Sequence, residues 1–199
     1  MIPALFLLAQ LAQTPVDAAS CQRKIDEIKY DRAKPGSVYV FTPQEITAWA
    51  RKEIPKEVPQ GVRDPRAEFG LNQGTGSAIV DFLKMQHAKG AKPGWLLEKL
   101  ISGERPIKVG VELKSANGFA TVTLRSVQIS GISASGSVLE YLIRTFFRPL
   151  YPEAHINESF EMGHNVDRVE VRTEAARVYI KGVPPKPAVP PKPAAKKAR

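Results

Sequence analysis

The chain has 199 residues, 43% hydrophobic and 25% charged, with 29 Lys and Arg against 20 Asp and Glu, a formal net charge of +9. That length bounds it at one ordinary domain or two small ones, and the composition excludes wholesale disorder. A lone cysteine excludes an intramolecular disulfide and a multi-cysteine zinc site, and no run of about 18–20 apolar residues is available to span a membrane as a helix.

Met1 to Ala12 is almost wholly apolar, with Ile2, Leu5, Phe6, Leu7, Leu8 and Leu11 among alanines. This run suits the h-region of a secretory leader, read here as residues 1–20 with a cut after Ala18. The expected location is therefore the periplasm or cell envelope. Ala18-Ala19-Ser20-Cys21 loosely resembles a lipobox, which makes Cys21 a candidate for lipidation; a plain cleaved leader is the preferred reading. Residues 21–36 read as a linker or short helix, because only Ile25, Ile28 and Tyr30 are apolar between Gln22 and Lys34.

A strand at Ser37–Phe41 comes next, by its β-branched and aromatic content. Thr42 as N-cap, Pro43 in the first turn and Glu45 three residues after the cap form a capping box. Ile46, Trp49, Ala50 and Ile54 then mark one helical face, Pro55 is expected to end the helix, and Trp49 to anchor it on a sheet. A hairpin is predicted from Arg66–Leu71 and Thr75–Phe82, with Ala67, Phe69 and Leu71 inward on its first strand. Two helical pieces are expected around 83–88 and 93–102, the second with a wide apolar arc containing Trp95, Leu96 and Leu97.

The best-patterned stretch is the next hairpin. Ile107, Val109, Val111 and Leu113 alternate with polar residues or glycine, and Asn117-Gly118 is the strongest short hairpin signal. Beyond it the apolar parity is mixed, which predicts a twist or bulge near Arg125. After the loop 131–136, Ser137 is expected to cap a helix over Val138–Arg148. There Glu140, Arg144 and Arg148 form one narrow polar stripe on an otherwise greasy cylinder. A strand at Ile156–Met162 and a hairpin from Val166–Arg172 and Ala176–Ile180 close the domain at Gly182. Residues 183–199, with two PPKPA repeats, are expected to be a disordered polyproline II-rich tail. Five of the chain's cations sit there with no acid, so the tail is suited to anionic surfaces. It carries no aromatic stacking platform, and the remaining charge excess is mild, so no specific nucleic-acid partner is expected.

Three phrases carry a family resemblance: Phe41-Thr42-Pro43-Gln44-Glu45-Ile46-Thr47-Ala48-Trp49; Val127-Gln128-Ile129-Ser130-Gly131 leading to Val138-Leu139-Glu140-Tyr141-Leu142; and Val169-Glu170-Val171 followed by Arg177-Val178-Tyr179-Ile180-Lys181-Gly182. With the order of elements, they resemble the TULIP-like lipid-binding proteins of bacterial envelopes, in particular the LmeA-like phospholipid-binding group. The resemblance spans residues 37–182. It implies an α+β fold in which a curved antiparallel sheet wraps an apolar helix, as a TULIP-like half or small variant. It also implies a lipid or other apolar ligand between sheet and helix. Leu96, Leu97, Leu139, Leu142, Ile143, Phe146 and Phe147 are the candidates for that groove.

Catalytic motifs are wanting. His87, His155 and His164 have no metal-ligand spacing, and Ser135-Gly136-Ser137 is not a nucleophile elbow. Gly70–Gly76 lies between two strands, where a turn and not a phosphate loop is expected. The chain is read as a non-enzyme without a cofactor or metal. The alternative to a lipid carrier is an envelope scaffold or adaptor with a solid core, whose tail contacts a partner.

Overall fold

The computed structural model describes residues 14–57, 61–82, 84, 102–148 and 156–182. Helix α1 (Thr14–Lys29) precedes strand β1 (Val38–Phe41) and helix α2 (Pro43–Glu57). Strands β2 (Val62–Gly70), β3 (Gln73–Asp81), β4 (Glu104–Ala116), β5 (Phe119–Ile129) and the short β6 (Ile132–Ser133) follow. Helix α3 (Gly136–Leu142) runs directly into a π-helical turn, Ile143–Phe147. Strands β7 (Ser159–Glu161), β8 (Val166–Val171) and β9 (Ala176–Ile180) complete an α+β chain.

The strands form two antiparallel sheets. The larger has the order β2-β3-β4-β5-β6, with β7 also paired to β5; the smaller has the order β1-β9-β8. Val122 and Ile156 add one isolated parallel bridge. The split arises because β1 pairs with β9 from the far end of the described chain, a partnership that strand periodicity does not encode. The small sheet is fastened to the large one near the hairpin tips. Ser115 Oγ donates to the Val169 carbonyl at 2.8 Å and accepts from the Val169 N–H at 2.7 Å.

The β4–β5 hairpin turns at Asn117 and Gly118, both at positive φ as its Asn-Gly turn requires. Its register then jumps: Gly110 pairs with Ser126 but Val111 pairs with Leu124, so Arg125 is an extra residue in β5. This is the bulge expected near Arg125, and it resolves the mixed parity. Val122 and Leu124 on one side of the bulge and Val127 and Ile129 on the other all meet the same face of β4. That face packs on α3 through a core of Val80, Phe82, Ile129 and Leu142, with Ile129 fully buried.

The helical end is built on side-chain bonds. In the capping box of α2, the Glu45 N–H donates to Thr42 Oγ1 and the Thr42 N–H to Glu45 Oε2, both at 3.1 Å. Several expectations need correction here. Helix α1 begins at Thr14 and continues through the boundary drawn between leader and linker. Its stability comes from α2, since its own apolar pattern is weak. Trp49 faces α1 rather than a sheet, and its Nε1 donates to Gln22 Oε1 at 2.7 Å. Helix α2 carries Pro55 inside and ends at Glu57. In the last turn a missing N–H removes one bond at the helix end, which is cheaper than in mid-helix. Leu71 is 67% exposed, because it sits in the β2–β3 turn with Asn72, not in the strand. The N-cap of α3 is Ser135, without a side-chain cap bond, rather than Ser137.

Candidate functional site

Strand alternation places Ile107, Val109 and Val111 on the face of β4 that looks toward α3, and the bulge adds Val122, Leu124 and Val127 of β5. Val80 and Phe82 at the end of β3 and Val62 of β2 extend this wall. Opposite stand Leu139, Leu142, Ile143 and Phe147 from α3 and its π turn, and Ile156 closes the side next to Val122. Between the walls lies a partly open cleft of about 430 Å³. That volume falls within the range of about 300–1,000 Å³ usual for small-molecule sites.

Among the described residues, every side chain lining the cleft is apolar. Such a surface offers water no hydrogen-bond partner, so hydration there is unfavourable and an apolar occupant is favoured. Two local features leave room. On the same face of β3 the residues opposite Val111, Val109 and Ile107 are Gly74, Gly76 and Ala78, which bring little or no side chain. A Cβ built on Gly76 would meet nothing within 4 Å. The helix also changes pitch at the cleft: the Arg148 N–H reaches the Ile143 carbonyl at 2.9 Å, five residues back. Such π turns occur frequently at functional sites.

Of the seven groove candidates, Leu139, Leu142, Ile143 and Phe147 come together in this wall. Leu142 also belongs to the buried core cluster, so it supports the fold as well as lining the space. Phe146 lies in the π turn, but its side chain lies outside the described residues, as do Leu96 and Leu97. The strand half of the wall was not singled out from sequence. The signal was present in the parity switch at Arg125, which brings two apolar half-strands onto one face.

Cys21 is fully buried within α1. Burial, with Glu45 adding to it and Lys24 opposing, pushes the thiol up to about 11. An acyl group on this sulfur has no room while α1 keeps this packing. A second, larger hollow of about 660 Å³ lies beside α1 and β1. Its wall is of mixed charge, with Arg23, Lys34 and Lys52 beside Asp26 and Glu27, and Glu27 accepts a 2.8 Å bond from the Tyr39 hydroxyl. It lacks the selectivity for apolar matter that the smaller cleft has. His87 and His155 lie outside the described residues, while His164 Nδ1 stands 3.5 Å from Asp31 Oδ1. Among the described residues no group of three His, Cys, Asp or Glu converges as a metal site, and no helix is long and apolar enough to cross a membrane.

The chain matches no family model, no curated protein and no solved structure.

Proposed function

We propose that the chain binds and shuttles a lipid or other apolar ligand in the cleft between the large sheet and α3. The observation that carries this reading is a cleft of about 430 Å³ whose wall, among the described residues, is entirely apolar. On this reading the sheet and α3 form a small variant of the TULIP-like arrangement, and the protein works in the cell envelope after export.

The magnitudes suit a carrier. At about 30 Å³ each, a water's share of liquid volume, the cleft holds roughly a dozen methylene-sized groups. Burying them yields about 10 kcal/mol gross at about 0.8 kcal/mol per CH₂. Immobilising the ligand costs at least about 4 kcal/mol. The net of about 6 kcal/mol corresponds to a Kd between about 1 mM and 1 µM. That strength permits loading and release, whereas a permanent structural lipid needs more. Native mass spectrometry of the full chain purified from a membrane-containing host tests the reading. Co-purified lipid masses are the expected result, and ligand-free protein that also takes up no added dodecanol would overturn it.

A further inference from the structure

On the cleft-facing side of β3, β4 and β5 the register brings together Gly74, Gly76, Ala78 and Val80 with Ile107 to Ser115 and Ala120 to Ile129 in alternation. Among the described residues of β3, β4 and β5 on that face, all are uncharged except Arg105. It stands directly opposite Val80 and two residues before Ile107, both of which line the cleft. Directly opposed residues have Cβ atoms about 4.5–5.5 Å apart, so the arginine stem starts at the rim of the apolar wall. The other cations of β4, Lys108 and Lys114, have the opposite parity and lie on the solvent face with Glu68 and Glu112. Arg105 is half-buried and its Nε is buried.

We infer that the cleft takes an anionic amphiphile, its chain along the apolar wall and its carboxylate or phosphate head group at Arg105. This rests on the reading of the cleft as a ligand site and adds the chemical class of the ligand. Charge complementarity carries it: among the described residues the wall has no polar side chain, so it holds the chain but cannot orient it, and the one cation on that face of β3, β4 and β5 stands at one end. Arg105 has interactions within the protein. A guanidinium has five N–H donors, enough to serve a protein acceptor and a ligand oxygen together. Its planar fork also suits both carboxylate and phosphate.

The test is a charge series at fixed chain length on the full chain: dodecanoate, dodecyl phosphate, dodecanol and dodecylammonium, titrated by calorimetry. The anions are expected to bind about 10- to 100-fold more tightly than the alcohol, the range for a hydrogen bond to a charged group. The ammonium is expected to bind more weakly than the alcohol. The tighter of the two anions identifies the head group. In Arg105→Gln the anion preference should vanish while dodecanol affinity stays, and Arg105→Lys should restore part of it. Equal binding of anion and alcohol by the native chain overturns this inference alone and leaves the cleft reading standing. Failure of all four to bind overturns both. The native-chain series decides the matter even if the glutamine variant does not fold.

Discussion

Arg125, the extra residue of β5, donates from Nε to Glu112 Oε2 of β4 across 2.7 Å. The ion pair is on the solvent face, where Arg125 and then Lys114 hold the Glu112 carboxyl below its usual range. The bulge that presents Arg125 matters more than the pair. It is the reason that Val122, Leu124, Val127 and Ile129 share one face of the sheet, and thus the reason that the cleft has a strand wall.

Deleting Arg125 and deleting Gln128 are therefore expected to differ sharply. Without Arg125, the residues Val122, Leu124, Val127 and Ile129 fall in strict alternation and all keep the cleft face with no bulge. Without Gln128, either Val127 or Ile129 turns to the wrong face, at about 1.5–3 kcal/mol for that side chain. Such a loss is a sizeable share of the about 5–15 kcal/mol that stabilises an ordinary domain. Arg125→Ala keeps the residue count and loses only an exposed pair, so its melting temperature should stay close to that of the native chain. Thermal melts of the two deletion variants check this, and equal destabilisation of the pair would contradict the register argument.

The junction of α1 and α2 carries a pH dependence. Burial by itself raises the Glu45 carboxyl, but bonds from Lys24, the Thr42 backbone and Ser20 outweigh it and leave the group lowered. Lys24 Nζ stands 2.7 Å and 2.9 Å from the two Glu45 oxygens. A lowered carboxyl stabilises the fold above its unfolded value, about 4.3 for Glu, and loses that contribution as pH falls through the folded value. The stability advantage of the native chain over Glu45→Gln should thus be full at pH 7 and shrink below about pH 4.3. Urea melts across pH 7 to 3 measure it; an advantage that grows in acid would contradict the assignment. Thr42→Ala, which removes the other half of the capping box, should cost about 1 kcal/mol.

Cys21 supplies an independent probe of the same junction. With its thiol pushed up to about 11 and its side chain fully buried, it should resist iodoacetamide at pH 8 in the folded protein and react promptly in denaturant. Rapid native labelling would show that α1 does not hold this packing on α2.

Much of the local structure was legible because it depends on neighbours in sequence. The Thr42–Glu45 box, the Asn117-Gly118 turn and the Arg125 bulge are all short-range signals. So was half of the cleft: Leu139, Leu142, Ile143 and Phe147 stood out as a greasy helix with one narrow polar stripe. What escaped depends on distant partners. Ile25 and Ile28 alone do not mark a helix from Thr14; contacts such as Gln22 with Trp49 and Lys24 with Glu45 supply the rest. Likewise nothing in Val38–Phe41 names Ala176–Tyr179 as its partner, so the second sheet was not foreseen.

Within the cleft, fold and binding separate by residue. Leu142 belongs to the buried core, so Leu142→Ala should cost about 2–5 kcal/mol whether or not a ligand binds. Ile143 and Leu139 are half-buried on the opposite wall from Val109, so a larger residue there occupies ligand space first. Chemical denaturation of Leu142→Ala beside Leu139→Phe checks the contrast, the second being expected to unfold near the native midpoint.

The most direct measurement is displacement of a neutral fluorescent probe, N-phenyl-1-naphthylamine, by dodecanol from the native chain and from Ile143→Trp, with circular dichroism to confirm folding. Saturable binding by the native chain, weakened about tenfold or more in the folded tryptophan variant, is the predicted result. Equal binding by both, or none by the native chain, would contradict an apolar ligand between the sheet and α3.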